Sequence, residues 1–341
     1  MLQYFYMLKQ FLLLVIFLGS AMTYAQNKLW VQYQGKDGPG KGKHIVFVTG
    51  DEEYRSEEAL PMMAQILAEK HGFTCTVLFS IDPQTGAIDA MNLSNIPGLE
   101  QLEKADLMFL SIRFRELPDA QMKFIDRYIQ SGKPIIALRT STHGFNYKKN
   151  LNSPYAKYDF RSKVKGWENG FGKKILGETW VDHHGKHGKE GTRALVDGIK
   201  QNENNAILKS VKDIWCATDV YTIEKLPANS EVLLYGQSTS GMTPESPVNL
   251  NKSIMPIAWT RTYTADSGKK GKVFATTMGA SIDLINEDLR RLLVNASYWA
   301  TGLETKIPEK ADVNYISEYK PTMFSTELFK QGTYPSKYEL K

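Results

Sequence analysis

Four short, nearly continuous apolar runs, at 45–49, 73–81, 107–112 and 134–138, constrain the first half of the chain more than any other feature. Runs of this length without polar alternation read as strands buried on both faces. After the first run, Leu60, Met63, Ile66 and Leu67 recur at helical spacing, and the pattern stops at Gly72. After the third, Pro118-Asp119 opens a helix carrying Met122, Ile125 and Ile129, closed by Gly132. Strand, helix, strand, strand, helix, strand predicts an α/β fold: a mostly parallel sheet with helices on both faces and right-handed crossovers.

Ligands of such sheets bind beyond the carboxyl ends of the strands, where the strand order switches. The first candidates are therefore the residues just past three strand ends. These are Asp51, Glu53, Tyr54 and Arg55 in the charged turn 51–58, then Arg113 and Arg115, then Arg139, Thr140, Ser141 and His143. Gly35, Gly38, Gly40 and Gly42 fall in a lead-in segment, 26–43, ahead of the first run. A phosphate loop must follow its strand so that a helix N-terminus faces the anion, and these glycines do not qualify.

From 144 to 191 the periodicity breaks down. Glycines recur, four aromatics fall between 155 and 167, and Trp180-Val181-Asp182-His183-His184-Gly185-Lys186-His187 holds half of the histidines. Long irregular stretches inside compact domains are lids, binding loops or disordered segments, and the aromatics argue against disorder. A short helix is expected near 171–176. Further strands are expected at 192–196, 231–235, 254–259 and 272–277, the last running into another polar end at 278–283. Leu289, Leu292, Leu293 and Ala296 share one face of a helix from 286 to 300, with Glu287 and Asp288 at its positive end. Residues 304–341 lack a period, and their Tyr and Phe content predicts a tail lying on the body. There is no internal repeat.

Residues 1–25 read as a secretory signal: Lys9, an apolar run over 11–18, and small residues at Thr23-Tyr24-Ala25 with a cut after Ala25. The run is short for a membrane span, and no later segment is long and apolar enough for one. A periplasmic or secreted location is expected. Net charge is +5, too mild and dispersed to predict nucleic acid or an anionic membrane as partner. Cys75 and Cys216 define no disulfide framework and read as buried free thiols.

The histidine cluster sets two chemistries side by side. His183, His184 and His187, with Asp182 and His143 nearby, are donors that zinc accepts, and an open coordination position would make a catalytic site. Gly185 and Gly188 break the helix that would align His183 with His187, and hydrogen-bonding histidines in a polar pocket are the alternative. Arg113, Arg115 and Arg139 either pair with the acidic turn 51–58 or bind a ligand oxygen. Thr140 and Ser141 are ligand-binding or backbone-binding hydroxyls; without a Gly-x-Ser-x-Gly turn they do not form a nucleophile elbow. Glu53, Asp182, Asp219 and the histidines are candidate general acids and bases, and Trp180 and Tyr221 candidate pocket walls.

Taken together, Gly50-Asp51-Glu52-Glu53-Tyr54-Arg55-Ser56-Glu57-Glu58, Leu138-Arg139-Thr140-Ser141-Thr142-His143, Phe171-Gly172, Leu176-Gly177, His183-His184-Gly185 and Asp219-Val220-Tyr221 resemble a branch of the ThuA-like (trehalose utilisation) family. The resemblance spans 44–303. It implies a flavodoxin-like fold similar to class I glutamine amidotransferases, and a small-molecule carbohydrate as partner. Amidotransferases place a nucleophilic cysteine after the strand ending at Leu138. Arg139 and Thr140 stand there, so glutamine hydrolysis is not expected. The leading expectation is acid–base chemistry on a sugar or oxidised (keto) sugar. In it Arg139 holds an oxygen, His143 and His184 move protons, and Glu53 binds hydroxyls. A zinc-type hydrolase built on 182–187 and a non-catalytic sugar-binding protein are the alternatives.

Overall fold

The computed structural model describes residues 28–340; the expected signal segment, 1–25, lies outside them. Its strands are β1 (Trp30–Tyr33), β2 (His44–Gly50), β3 (Thr74–Leu78), β4 (Leu107–Ile112), β5 (Ile135–Leu138), β6 (Thr192–Ala194), β7 (Trp215–Cys216), β8 (Ser230–Ser238), β9 (Met255–Thr264) and β10 (Lys270–Thr276). Helices are α1 (Ser56–His71), α2 (Asp119–Gln130), α3 (Val196–Gln201) and α4 (Glu287–Ala300). The strands form one sheet in the order β1-β3-β2-β4-β5-β10-β9-β8-β6-β7.

The sheet is mixed where a mostly parallel one was expected. The run β3-β2-β4-β5-β10 is parallel; β1 at one end and β9, β8, β6 and β7 at the other pair antiparallel. The reason lies in the connections. A parallel pair needs a crossover of a dozen residues or more, whereas β9 and β10 are joined by a tight turn closed by Ala265 N–H donating to Lys269 O at 2.9 Å. In chain order the five parallel strands lie second, first, third, fourth, fifth across the sheet, which puts the reversal of strand order between β2 and β4.

Alternate residues of the central strands enter two cores. Ile45 and Phe47 join Leu60, Met63 and Leu67 of α1 and Leu289, Leu292 and Leu293 of α4. Val46 and Val48 join Met122, Ile125 and Ile129 of α2. Each fully buried side chain of this size contributes roughly 1.5–3 kcal/mol, which is why these strands carry no polar alternation. Cys75 and Cys216 are buried free thiols, and burial pushes both up in pKa.

One expectation changes in the N-terminal lead-in. Residues 30–33 form an edge strand, Trp30-Val31-Gln32-Tyr33, with Val31 and Tyr33 buried and Gln32 exposed. The glycines serve close packing: a Cβ on Gly35 would meet Gly72 O at 2.1 Å, where the lead-in crosses the end of α1. The short strand β7 and helix α3 were also not anticipated. Among the described residues no helix is long and apolar enough to cross a membrane. The C-terminal segment is irregular and lies along α1 and α4. His71 Nε2 is 2.8 Å from Asp312 O, and Arg290 Nε donates to Val313 O at 2.9 Å.

Candidate functional site

Past Leu138 the backbone turns left-handed at Arg139 (φ 37°) and forms a single 3-10 turn, Arg139–His143. That turn carries Arg139 into the body of the molecule, where it is 1 % exposed. The guanidinium lies between the rings of Tyr54 and Tyr221, 4.3 Å from each centroid. It donates to Asp219 Oδ1 at 2.8 Å, to the carbonyls of Asp219 and Thr277 at 2.9 Å and to Tyr54 Oη at 3.1 Å. Those contacts occupy all four Nη hydrogens. Arg139 was expected to hold a ligand oxygen; its guanidinium instead holds Asp219 and two aromatic walls in place.

Asp219 is the hub. Its Oδ2 is 2.7 Å from His183 Nδ1, and its Oδ1 is 3.5 Å from His187 Nδ1. Burial alone would raise its carboxyl. The hydrogen bonds from His183 and His187 and the charge of Arg139 outweigh burial and hold it well below the usual carboxylate range. His187 Nε2 is 3.1 Å from Glu53 Oε1, and its bonds to Asp219 and Glu53 push it up to about 9. Glu53 Oε2 in turn meets Arg113 at 3.1 Å.

His143 contrasts with these two. It is buried beside Phe114 (centroids 5.1 Å apart), Trp180 (5.4 Å), Phe160 (6.1 Å) and Tyr221 (6.1 Å). Burial, then the charges of Arg113 and Arg139, keep its pKa well below the ordinary value, so it is neutral at physiological pH. His183 shares the same walls, 5.8 Å from Trp180 and 5.4 Å from Tyr221.

His184 departs from its expected place. Residues around His183 are extended and bridge Tyr221, so adjacent side chains face opposite ways. His184 Nε2 meets Ser253 O at 2.8 Å, outside the cluster. The donors that converge are His183, His187 and Asp219, whose ligand atoms lie within 4.8 Å of one another. This set replaces the expected His183, His184 and His187. An imidazole–imidazole–carboxylate set suits a zinc-type ion with an open position.

Other candidates are structural. Asp51 Oδ1 accepts the amides of Glu53 and Tyr54 at 2.9 Å, and its Oδ2 accepts Thr140 Oγ1. Ser141 Oγ donates to Leu110 O at 3.2 Å. Arg115 is consumed by Glu52 (2.7 Å), Ser80, Asn92 O and Arg113 O. Arg55 turns away to Ser325 O at 2.8 Å. Arg113 stays at the rim, paired with Glu52 and Glu53 and lying 4.5 Å over the Phe114 ring. Sequence reasoning missed Phe114, Phe160 and Phe324 as walls, because a phenylalanine carries no sign of whether it lines a core or a site.

These side chains come from residues 51–221 plus Phe324, and residues 43–300 match the family model ThuA, trehalose utilisation. The chain belongs to the ThuA family. A carbohydrate-related role follows from that membership. The chain is similar to a ThuA-like protein from Bacteroides uniformis, at 16 % identity and TM-score 0.46, over 78 % of this chain and 93 % of that one. It is also similar to a ThuA-like protein from Parabacteroides merdae, at 14 % identity and TM-score 0.48, over 88 % of this chain and all of that one. The chain matches no curated protein.

Proposed function

We propose that this ThuA protein binds a sugar or oxidised sugar at the carboxyl edge of its parallel strands and moves protons on it, in the periplasm or outside the cell. The observation that carries this is the His183–Asp219 pair. A buried carboxylate at 2.7 Å fixes which nitrogen of His183 bears the proton. The other nitrogen, Nε2, has no protein partner among the described residues, and the side chain is 29 % exposed. An imidazole oriented in this way is a general base. Neutral His143, across Trp180 and Tyr221, supplies the second proton-transfer group. Half-buried Trp180 suits the C–H face of a sugar, with buried Tyr221 backing it, and Glu53, Arg113 and His187 form a polar rim for hydroxyls.

The strand order second-first-third-fourth-fifth supports a flavodoxin-like, amidotransferase-like reading of the parallel half, with the ligand edge where the order reverses. Asp51–Arg55 and Arg113–Arg115 flank that point. The position of an amidotransferase nucleophile is filled by buried Arg139, so the proposal contains no acyl-enzyme step.

His183→Gln and Asp219→Asn should each slow sugar turnover by about 10²–10⁴-fold, the usual range for a lost general base. Product analysis by mass spectrometry across disaccharides and keto-sugars checks this. Full turnover by His183→Gln would sink the reading; sugar binding without any product in the wild type would make the chain a binding protein.

The convergence of His183, His187 and Asp219 favours a second reading, a metal-dependent hydrolase. On that reading, tag-free protein carries about one zinc-type ion per chain, and a chelator abolishes activity and lowers the melting temperature. Metal-free protein with undiminished activity and melting would exclude it.

A further inference from the structure

His187 lies on a loop with Gly185 and Gly188 around it, and Gly188 is left-handed (φ 67°) with open space at its Cα. On its inner side the loop is held, since Gly185 N–H donates to Val220 O at 3.0 Å and the N–H groups of Lys189 and Glu190 close the turn onto Lys186 O. The His187 side chain is 39 % exposed, yet it sits at the junction of Glu53, Asp219 and Tyr54 Oη, the last 3.5 Å away. His183 faces it at 4.7 Å between ring centroids. Arg113 and Arg139 stand behind the two carboxylates.

The remaining contact comes from outside the family domain. Phe324, 7 % exposed, packs 5.3 Å from the His187 ring and 5.4 Å from the Tyr54 ring. With Tyr54 and Ala280 it forms a small apolar cluster separate from both main cores. Its segment is latched to the turn that carries Glu53 and Tyr54. Ser325 N–H donates to Glu53 O at 2.9 Å, and Arg55 donates to Ser325 O at 2.8 Å. Thr322 donates to both oxygens of Glu58, at 2.6 and 2.8 Å, and Lys330 meets the same carboxylate at 3.1 Å. Ser281 Oγ donates to Thr322 O at 3.0 Å, tying the segment to the polar end of β10 as well.

We propose that the segment around 319–330, beyond the ThuA domain, completes the site, with Phe324 as a positioning residue that clamps His187 between Glu53 and Asp219. Phe324 touches no reacting atom; it acts by packing directly on the His187 ring, adding to the Glu53 and Asp219 contacts that the ThuA residues supply. The inference deepens the reading of the strand-edge site and rests on that site being the functional one. Its readout needs no sugar, so a failed sugar assay and a failed clamp are separate results.

The test is carbethoxylation of His187 by diethyl pyrocarbonate on the full chain, followed by peptide mass spectrometry, with half-buried His184, which lies outside the cluster, as internal reference. Loss of an aromatic pair should raise the His187 rate in Phe324→Ala by about three- to tenfold, with His184 unchanged. Phe324→Tyr should restore the wild-type rate. If Phe324→Ala does not fold, Phe324→Leu keeps apolar volume without the ring and is read against the same criterion. A folded Ala or Leu variant with the wild-type His187 rate overturns the clamp, as does Phe324→Tyr reacting as fast as Phe324→Ala.

Discussion

Arg139 occupies a left-handed backbone position, which costs a non-glycine residue on the order of 1–3 kcal/mol. What offsets the strain is the sandwich between Tyr54 and Tyr221 and the bond to Asp219. A desolvated cation over an aromatic face contributes about 2 kcal/mol. Lysine has neither the planar face nor the fork. Arg139→Lys should therefore destabilise the protein by about 3 kcal/mol, since it leaves Asp219 buried with an inadequate partner. Urea denaturation measures this, and wild-type stability would mean that Asp219 does not depend on the guanidinium. The position of Arg139 was legible in the sequence, as the first residue past a buried strand. Its role was not, because whether a guanidinium faces a ligand or a carboxylate depends on Asp219, 80 residues away. The histidine doublet had a readable clue: in extended chain only one of His183 and His184 can face inward.

At the scale of elements, the turn Arg139–His143 rests on the single π-helical turn Gly172–Leu176. A Cβ on Gly172 would meet Thr142 O at 2.0 Å, a backbone atom that cannot swing aside. Trp259 Nε1 anchors the other end, donating to Leu176 O at 2.8 Å. Gly172→Ala should cost about 1–3 kcal/mol by overpacking and displace His143 from its aromatic cage. Thermal melting together with the chemical shifts of the His143 ring checks both; unchanged shifts would show that the contact is relieved elsewhere. This helical turn was foreseen, as were β2 to β5, α1, α2 and α4, because each combines an apolar period with a terminating Gly, Pro or acidic cap. The strand β7 spans two residues and has no period to read. Strand direction in the C-terminal half was equally hidden, since β8, β9 and β10 carry no sign of pairing direction apart from the short turn between β9 and β10.

At the scale of the whole molecule, the C-terminal segment is tied to the first turn of α1 through Glu58, and the adjoining Glu57 is buried. Neither of its carboxylate oxygens has a hydrogen-bond partner, and Arg55 Nη1 stands off at 3.7 Å. Burial, only partly opposed by Arg55, pushes this carboxyl up to about 7 from an ordinary value near 4.5. Between those values the folded chain holds a proton that the unfolded chain has lost. Stability attributable to Glu57 is therefore full below about pH 4.5, declines as pH rises and is lost above about 7. The shift sets an upper bound of about 3 kcal/mol on that decline. Glu57→Gln keeps the shape and the neutral state and removes the titration, so it should flatten the slope and be more stable than wild type at pH 8 by about 1–3 kcal/mol. Glu52 is also raised, by burial and by Asp51, and contributes a slope of the same sign in both proteins. The decisive quantity is thus the difference between Glu57→Gln and wild type in urea denaturation at pH 5 and at pH 8. A difference that does not grow with pH would place the titrating group elsewhere. One that grows would assign the titration to Glu57, a carboxyl that its burial keeps neutral.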